Sequence, residues 1–242
     1  MKKSLIIFFL LIGIHGSYAQ NMKPEETEVW EPEPEIVSPG VGTAPPSDAI
    51  VLFNGKDIDN WVNRKGEAAE WDVSDGILTV VRGKGVISTK EVFGDCQLHI
   101  EWRTPAEVKG EGQGRGNSGV FLQGIYELQV LDSYNNRTYS NGQAGSIYKQ
   151  TMPLVNACKP PGEWQTYDII YKAPTFNADG SLNTPAYITV LQNGILIQNN
   201  TEIKGDTPYI GLPKYVSHGD GPLTLQDHGN PTSFRNIWMR KL

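Results

Sequence analysis

The sequence has few of the residues and motifs that mark common enzyme classes. Cys96 and Cys158 are its only cysteines and are far apart, so neither a CxxC redox pair nor a thiolate zinc site is predicted. A glycine-rich phosphate loop, a nucleophilic serine elbow and an HExxH helix are also absent. In an oxidising compartment the two cysteines could pair, or they could stay as two separately buried thiols. The sequence leaves both alternatives open.

Long apolar runs are confined to the first residues. A basic start, an apolar stretch over residues 5–14 and the small-residue site Ser17-Tyr18-Ala19 predict a signal peptide over residues 1–19. We therefore expect a periplasmic or secreted protein with no integral membrane segment after cleavage. Residues 20–48 are rich in proline and glutamate, which predicts an acidic, extended or disordered linker. Residues 49–242 remain for one domain.

Excess positive charge is also missing. The whole chain carries a formal net charge of −6, and residues 49–242 contain 18 basic and 20 acidic side chains. A nearly neutral domain gives no reason to expect nucleic acid or an anionic membrane as a partner.

Helical periodicity is lacking as well, and short strands with frequent turns take its place. The run YITVLQNGILIQNN predicts a hairpin around Asn193-Gly194, and Asp75-Gly76 predicts another. The chain has 26 glycines and regularly spaced strand patterns. These features predict an all-β fold, a two-sheet β-sandwich or jelly roll.

The densest set of reactive side chains lies in the segment GNSGVFLQGIYELQVLDS, residues 116–133. It predicts two strands and a tight turn, with Glu127 and Gln129 on the face opposite Tyr126 and Leu128. Strict alternation would turn Asp132 towards the core. A one-residue bulge near Val130 would instead place Asp132 on the face of Glu127 and Gln129. Two carboxyl groups and an amide on one surface would suit a polyhydroxylated ligand.

Two further strands carry polar faces. In QLHIEWRTP, Glu101 and Arg103 alternate with apolar residues, so they form either a solvated surface or a ligand surface beside Glu127. In LTLQDHG, Gln226 and His228 share one face while Asp227 points to the other. Histidine exchanges protons near neutral pH, so His228 is a candidate acid or base. Because Asp227 points the other way, we expect no dyad between them.

Several other polar side chains complete the prediction. Lys149, Asn117 and Arg235 are candidate substrate-binding residues, together with Gln129, Asp132 and Gln226, and Tyr148 could line a cleft rim. A divalent cation is a further possibility, because Glu101, Glu127, Asp132 and His228 offer suitable oxygen and nitrogen ligands if they converge. Nothing in their spacing requires a metal, and no other cofactor is predicted.

Five segments then occur in a recognisable order: LFNGKDIDNW, NSGVFLQGIYELQVLDS, NACKPPGEWQTYDIIYKAP, VLQNGILIQNN and GPLTLQDHGNPTSFRNIWMRKL. Together they resemble the bacterial 3-keto-disaccharide hydrolase domain family, over Ala49 to Leu242. The resemblance implies a concanavalin A-like jelly roll that acts on oxidised sugars. ELQVLD also resembles the E-x-D-x-x-E strand of laminarinase-type glucanases, but Gln129 stands at the central acid and Asp132 at the last.

Taken with that resemblance, the residues suggest cleavage of 3-keto-glycosides by proton abstraction, elimination and hydration. Glu127 and His228 are the predicted base and acid, with Glu127 favoured as base. The predicted stabilisers of the enolate oxygen are Arg103, Lys149 or Arg235. A lectin-like glycan-binding module is the main alternative. An ordinary glycoside hydrolase is disfavoured by Gln129.

Overall fold

The structure is a computed structural model, and it describes residues 22–242. The predicted signal peptide therefore lies outside the described residues. The chain divides into two compact units at Ile36 and Val37. Of the first unit, residues 22–36 are described, and they contain a short 3-10 helix, Pro24–Thr27. No helix among the described residues is long and apolar enough to cross a membrane.

The second unit is built almost entirely from strands. Two further 3-10 turns cover Gly112–Gly114 and Ser140–Gly142. The strands of residues 22–242 are β1 Ile50–Phe53, β2 Trp61–Asn63, β3 Asp72–Ser74, β4 Ile77–Thr79, β5 Ile87–Phe93, β6 Cys96–Arg103, β7 Ser118–Leu122, β8 Tyr126–Val130, β9 Gln165–Lys172, β10 Thr175–Phe176, β11 Leu182–Thr184, β12 Ala186–Gln192, β13 Ile195–Ile203, β14 Gly221–Leu225 and β15 Ser233–Lys241.

These strands form two main antiparallel sheets. The larger follows the order β13-β12-β9-β6-β15-β4-β3, with β1 also paired to β15, and the smaller follows β2-β5-β14-β7-β8. β10 and β11 form a separate hairpin. Alternate side chains of both sheets enter one apolar core. The predicted all-β sandwich is confirmed.

Buried tyrosines tie the two sheets together. The hydroxyl of Tyr167, on β9, donates to the carbonyl of Gln129 on β8 at 2.8 Å. The hydroxyl of Tyr171 donates to Gln123 Oε1 at 2.7 Å, in the turn between β7 and β8. Because a buried hydroxyl without a partner is unfavourable, these bonds fix where the small sheet lies on the large one.

The predicted hairpins are present where the turn residues place them. Asn193 and Asp75 have φ values of 54° and 50°, and each precedes a glycine that also has positive φ. Gln123-Gly124 turns between β7 and β8 in the same way. This left-handed geometry matches the twist of paired strands and explains the Asn-Gly and Asp-Gly sequences. The segment AGSIYKQ, residues 144–150, forms only isolated bridges at Ile147.

The second unit begins at Val37, before the predicted domain start at residue 49. Thr43 accepts a hydrogen bond from Trp238 Nε1 on its carbonyl at 3.1 Å, and Asp48 forms an ion pair with Arg240 at 2.6 Å. Residues 37–48 are therefore tied to β15 in the structure, although their composition predicted a linker. Proline-rich composition disfavours regular strands but does not prevent side-chain docking.

Both cysteines are free thiols. Cys96 starts β6 and pairs with Tyr171, at one end of β9, whereas Cys158 precedes Gln165, at the other end. At about 3.3 Å per residue, β9 keeps the two sulfurs far beyond bonding distance. Burial raises the pKa of Cys96 to about 12 and that of Cys158 to about 11, so neither is a ready nucleophile.

We expect the unreduced protein to contain two thiols that react only after unfolding. The measurement is titration with a thiol reagent in buffer and in denaturant. A protein that shows no free thiol in denaturant would contain a disulfide and contradict this arrangement.

Candidate active site

The candidate site lies on the outer face of the small sheet, at its edge strand β8. The register pairs Val120 with Leu128 and Phe121 with Glu127 without interruption. Leu128 is buried in the sandwich core, so Glu127 and Gln129 point to the opposite face. The predicted alternation is confirmed.

Loops, rather than another strand, satisfy the free edge of β8. The amide of Glu127 donates to Thr207 Oγ1 at 3.1 Å, and its carbonyl accepts from the amide of Tyr148 at 3.1 Å. The amide of Gln129 donates to the carbonyl of Ser146 at 3.0 Å. Exposed strand edges need such partners. Capping the edge also brings Tyr148 and Thr207 to the side of Glu127.

Glu127 is a buried carboxyl group that has no opposite charge beside it. It is 5% exposed, and burial raises its pKa to about 8. With its amide turned over, Gln129 donates to Glu127 Oε1 at 3.0 Å. A Cβ at Gly119 would collide with Glu127 Oε1, so the carboxyl group folds over a glycine. Its position therefore depends on Gly119 as much as on β8.

A pocket of about 210 Å³ opens in front of this carboxyl group. The side chains that line it come from five segments of the chain: Asn117, Phe121, Glu127, Gln129, Tyr148, Thr207, Tyr209, Gln226 and His228. Within it, Asn117 Oδ1 and Gln226 Oε1 are buried acceptors that lack a hydrogen-bond partner. Because buried polar atoms are normally paired, these two are suited to accept hydrogen bonds from a ligand.

The predicted positions of Gln226 and His228 are confirmed. Leu223 and Leu225 of β14 enter the core, while Gln226 and His228 line the pocket. Asp227 turns away and accepts hydrogen bonds from the amides of Gly83 and Gly85, at 2.7 and 3.0 Å. His228 therefore has no carboxylate from its chain neighbour, as the alternation predicted.

The prediction that Glu101 and Arg103 share a surface with Glu127 is wrong. They lie on β6 of the large sheet, where Trp102 enters the core and they face outwards, away from the small sheet. Arg235 lies on the same outer face and donates to Glu101 Oε2 at 2.6 Å. Arg103 and Arg235 stack on Trp164, at 4.6 and 4.1 Å from its ring centroid. These three predicted residues therefore belong to a separate cluster.

Asp132 does not reach the pocket either. The pairing of β7 with β8 runs without a register shift to Val130, where β8 ends, so Asp132 lies beyond the strand and neither of the two alternatives for its face applies. Its carboxylate pairs with Arg115 Nε at 2.6 Å. Asp132 is buried outside the pocket, and Arg115 supplies the opposite charge that a buried carboxylate requires.

Lys149 lies behind the pocket rather than in its lining. Its Nζ donates to the carbonyl of Tyr209 and lies 4.2 Å from the centroid of the Tyr209 ring. The predicted substrate-binding lysine thus positions a pocket residue and does not itself line the wall.

The four predicted metal ligands do not converge. Glu101 is on the other sheet, Asp132 is paired with Arg115, and only Glu127 and His228 share the pocket. Over residues 22–242, no group of three or more acidic, histidine or cysteine side chains is arranged to hold a metal ion. The condition under which these four side chains could hold a cation, their convergence, is therefore not met.

Tyr209 and Thr207 are pocket residues that the strand patterns did not indicate. They belong to the connection between β13 and β14, whose sequence TPYIGLP has no strand or helix period. Tyr209 is 72% exposed, and an aromatic side chain in a glycine- and proline-containing loop was the available signal.

Comparison with known proteins identifies a family. Residues 48–240 match a family model described as a 3-keto-α-glucoside-1,2-lyase-like domain. The chain belongs to this family.

Named relatives extend the comparison. The chain is 24% identical over 235 residues to a 3-keto-disaccharide hydrolase of Bacteroides thetaiotaomicron, a match that covers 80% of this chain and 78% of the relative. A crystal structure of a provisionally named glycosyl hydrolase from Parabacteroides distasonis is 56% identical, with a TM-score of 0.89, covering 92% of this chain and 98% of that one. A second such structure from the same organism is 25% identical, with a TM-score of 0.56, covering 80% and 99%. The relatives therefore share most of the chain rather than a single motif.

We expect Glu127→Gln to stabilise the protein above about pH 5. In the folded state Glu127 keeps its proton to about pH 8, whereas in the unfolded chain it ionises near its ordinary value of 4.5. Between these values the unfolded state binds fewer protons, so rising pH favours unfolding. The difference in unfolding free energy should grow across this window to a few kcal/mol, and then level off.

Denaturant unfolding at several pH values measures this difference. Glu107→Gln, at an exposed side chain beside Lys109, is the matched control and should show little pH dependence. A pH-independent difference for Glu127→Gln would show that its carboxyl group is not protonated in the fold.

Proposed function

We propose that the chain is an enzyme that cleaves the glycosidic bond of 3-keto-glycosides. Family membership and the name of the Bacteroides relative support a carbohydrate substrate of this class. The observation that carries the proposal is Glu127, a buried carboxyl group of raised pKa at the base of a polar pocket that also contains His228. Perturbed ionisable groups in pockets are frequent at catalytic sites.

The keto group determines which chemistry the site must perform. A ketone at C3 acidifies the proton on C2, because the resulting carbanion is delocalised as an enolate. Removal of that proton lets the C1 substituent leave by elimination, and water then adds to C1 of the enone. The net products are a free 3-keto sugar and the alcohol of the leaving group. One base and one acid suffice for this sequence.

Glu127 is the base in this proposal and His228 is the acid. Glu127 takes the C2 proton, and His228 protonates the departing oxygen. In the hydration half, His228 takes a proton from water as the oxygen adds to C1, and Glu127 returns its proton to C2. Protons therefore balance over the cycle. A carboxylate whose pKa is about 8 is a stronger base than an ordinary glutamate.

A neutral donor replaces the cations that the sequence suggested for the enolate oxygen. Arg103 and Arg235 face outwards from the large sheet, so in this proposal their role passes to Tyr148, which lines the pocket. Burial raises the pKa of Tyr148 above its ordinary value, so its hydroxyl keeps its proton. An uncharged donor in a partly desolvated pocket still stabilises a developing oxyanion. The two unpaired acceptors would orient the sugar hydroxyls.

The pocket does not suit a conventional glycosidase. Glu127 is the single carboxyl group among the described lining residues, whereas retaining and inverting mechanisms normally use two. Gln129 occupies the position on β8 where a second acid would share the face. The loss of that acid agrees with elimination, which needs no carboxylate nucleophile. Export through the predicted signal peptide would place this activity in the periplasm or outside the cell.

We expect the wild-type protein to release product from a 3-keto-disaccharide but not from its unoxidised parent. Glu127→Gln and His228→Asn should each lower turnover by at least about a hundredfold, the range of general acid–base catalysis. The measurement is product release, with circular dichroism to verify folding. Full activity in both variants would contradict the assignment.

Glu101→Gln is the matched control for Glu127→Gln. Its carboxyl group is also buried, but it faces outwards from the large sheet and bonds to Arg235, so turnover should be retained in the folded variant. If neither sugar is cleaved and both bind, the protein is a glycan-binding module instead. Cleavage of the unoxidised parent would indicate an ordinary hydrolase.

The pH profile tests whether Glu127 takes part in the chemical step. One of the two groups must have lost its proton and the other must keep it, so kcat/KM should be bell-shaped, with one of its two limbs near pH 8. That limb should disappear in the residual activity of Glu127→Gln. A wild-type profile with no limb in this range would remove Glu127 from the chemical step.

A further inference from the structure

An aromatic surface adjoins the pocket on the side of His228. A cavity of about 400 Å³ is lined by Gln113, Gly114, Tyr139, Tyr148, Tyr209 and His228. We call these six residues the tyrosine basin. Tyr148, Tyr209 and His228 also line the catalytic pocket, so the basin and the pocket are continuous.

Three of the basin side chains already use their polar groups within the protein. The hydroxyls of Tyr139 and Tyr148 hydrogen bond to each other at 2.8 Å. Gln113 Nε2 donates to Thr138 Oγ1 and to the carbonyl of Gly142, at 3.1 and 2.8 Å, and Gln113 Oε1 accepts from Asn117 Nδ2 at 3.4 Å. Apart from the Tyr209 hydroxyl and the His228 ring, these walls therefore offer a ligand mainly aromatic surface.

The catalytic pocket differs in this respect. Asn117 Oδ1 and Gln226 Oε1 are unpaired there, which suits the hydroxyl groups of a sugar. A second sugar in the basin would exchange several hydrogen bonds to water for the few that Tyr209 and His228 can make, which is unfavourable. An aromatic or otherwise apolar group makes no hydrogen bonds to water, so it would lose none on entering the basin.

The position of His228 determines which side receives the leaving group. His228 borders both the pocket and the basin, whereas a third cavity, beyond Phe121 and Gln226, does not include it. That third cavity has mixed walls, in which Asn63, Arg64 and Ser88 lie beside apolar residues. Since the acid must contact the departing oxygen, the leaving group lies on the basin side.

The exposed ring of the basin is held in place. Tyr209 is 72% exposed, yet Lys149 Nζ bonds to its carbonyl and lies 4.2 Å from its ring centroid. Gln150 Nε2 donates to the carbonyls of Gly205 and Asp206, at 2.9 and 3.0 Å, at the start of the same loop. A ring fixed at the rim loses little conformational entropy when a ligand stacks on it.

We propose that the tyrosine basin is a leaving-group subsite that selects 3-keto-glycosides whose aglycone is aromatic. The proposal rests on the function proposed above, because it assigns His228 as the acid. The sugar occupies the polar pocket, and the planar aglycone stacks on the tyrosine rings.

The test compares Tyr209→Ala with wild type on 3-keto-glucosides that carry phenyl, methyl or glucosyl aglycones, in both anomers. Each substrate is compared with itself between variants, so differences in leaving-group acidity cancel. We expect Tyr209→Ala to lower the ratio of kcat/KM for the phenyl substrate to that for the methyl substrate about threefold to tenfold, the range of one aromatic pair. Tyr209→Phe should keep the wild-type preference, because stacking needs the ring and not the hydroxyl.

Two further variants make the result decisive. Tyr134→Ala removes a partly exposed tyrosine outside the basin and should leave all three substrates unaffected. Arg64→Ala tests the third cavity. Equal losses for phenyl and methyl substrates in Tyr209→Ala, or a change of aglycone preference in Arg64→Ala alone, would overturn the proposal.

Failure of the proposed function is distinguishable from failure of the subsite. If wild type cleaves none of the keto substrates, binding of unoxidised phenyl and methyl glucosides is measured by NMR titration. Tighter binding of the phenyl glucoside that is lost in Tyr209→Ala would support the subsite without the activity. Equal binding of the two glucosides would overturn it.

Discussion

The burial of the Glu127 carboxyl group without a countercharge is the constraint on which the site depends. Ionising a desolvated carboxyl group is unfavourable, so the fold tolerates it only by keeping the proton to about pH 8. Gly119 leaves room for the group, and loop residues Tyr148 and Thr207 close the strand edge that carries it. The bonds that complete the edge of β8 therefore also exclude water from the Glu127 carboxyl group. Exclusion of water raises the pKa of this group, and a carboxylate of raised pKa is the base that the proposed proton abstraction requires.

The two outer faces of the sandwich contain contrasting buried glutamates. Burial alone would raise the pKa of Glu101 as it does for Glu127, but hydrogen bonds from Asn236, Arg235 and Thr43 hold the pKa of Glu101 below its ordinary value. Glu101 is therefore a charged group whose partners fasten residues 37–48 to the large sheet. Residue type and burial are the same at both positions. The neighbouring groups make Glu101 a structural carboxylate and leave Glu127 as a candidate base.

Sequence alternation predicted the strands, the turns and the faces of Glu127, Gln129, Gln226 and His228, because strand periodicity and turn chemistry are local. It could not predict which sheet would contain the strand of Glu101, since alternation relates side chains to their own strand only. The positions of the loop tyrosines could not be predicted from the sequence either. Those loops are placed by bonds to the edge of a strand distant in sequence, and such tertiary partners leave no periodic signal.

The arrangement of polar and aromatic surface bears on the type of reaction. A double displacement needs a second carboxylate near the first, and Gln129 makes that impossible on this strand. Elimination needs instead a base under the ring and an acid at the departing oxygen, two groups that need not be close together. Glu127 at the base of the pocket and His228 at its boundary with the tyrosine basin satisfy this requirement. In the proposed reaction the separation of the two groups would fix the direction in which the aglycone leaves, and the aromatic walls on that side would let the protein select its chemical nature.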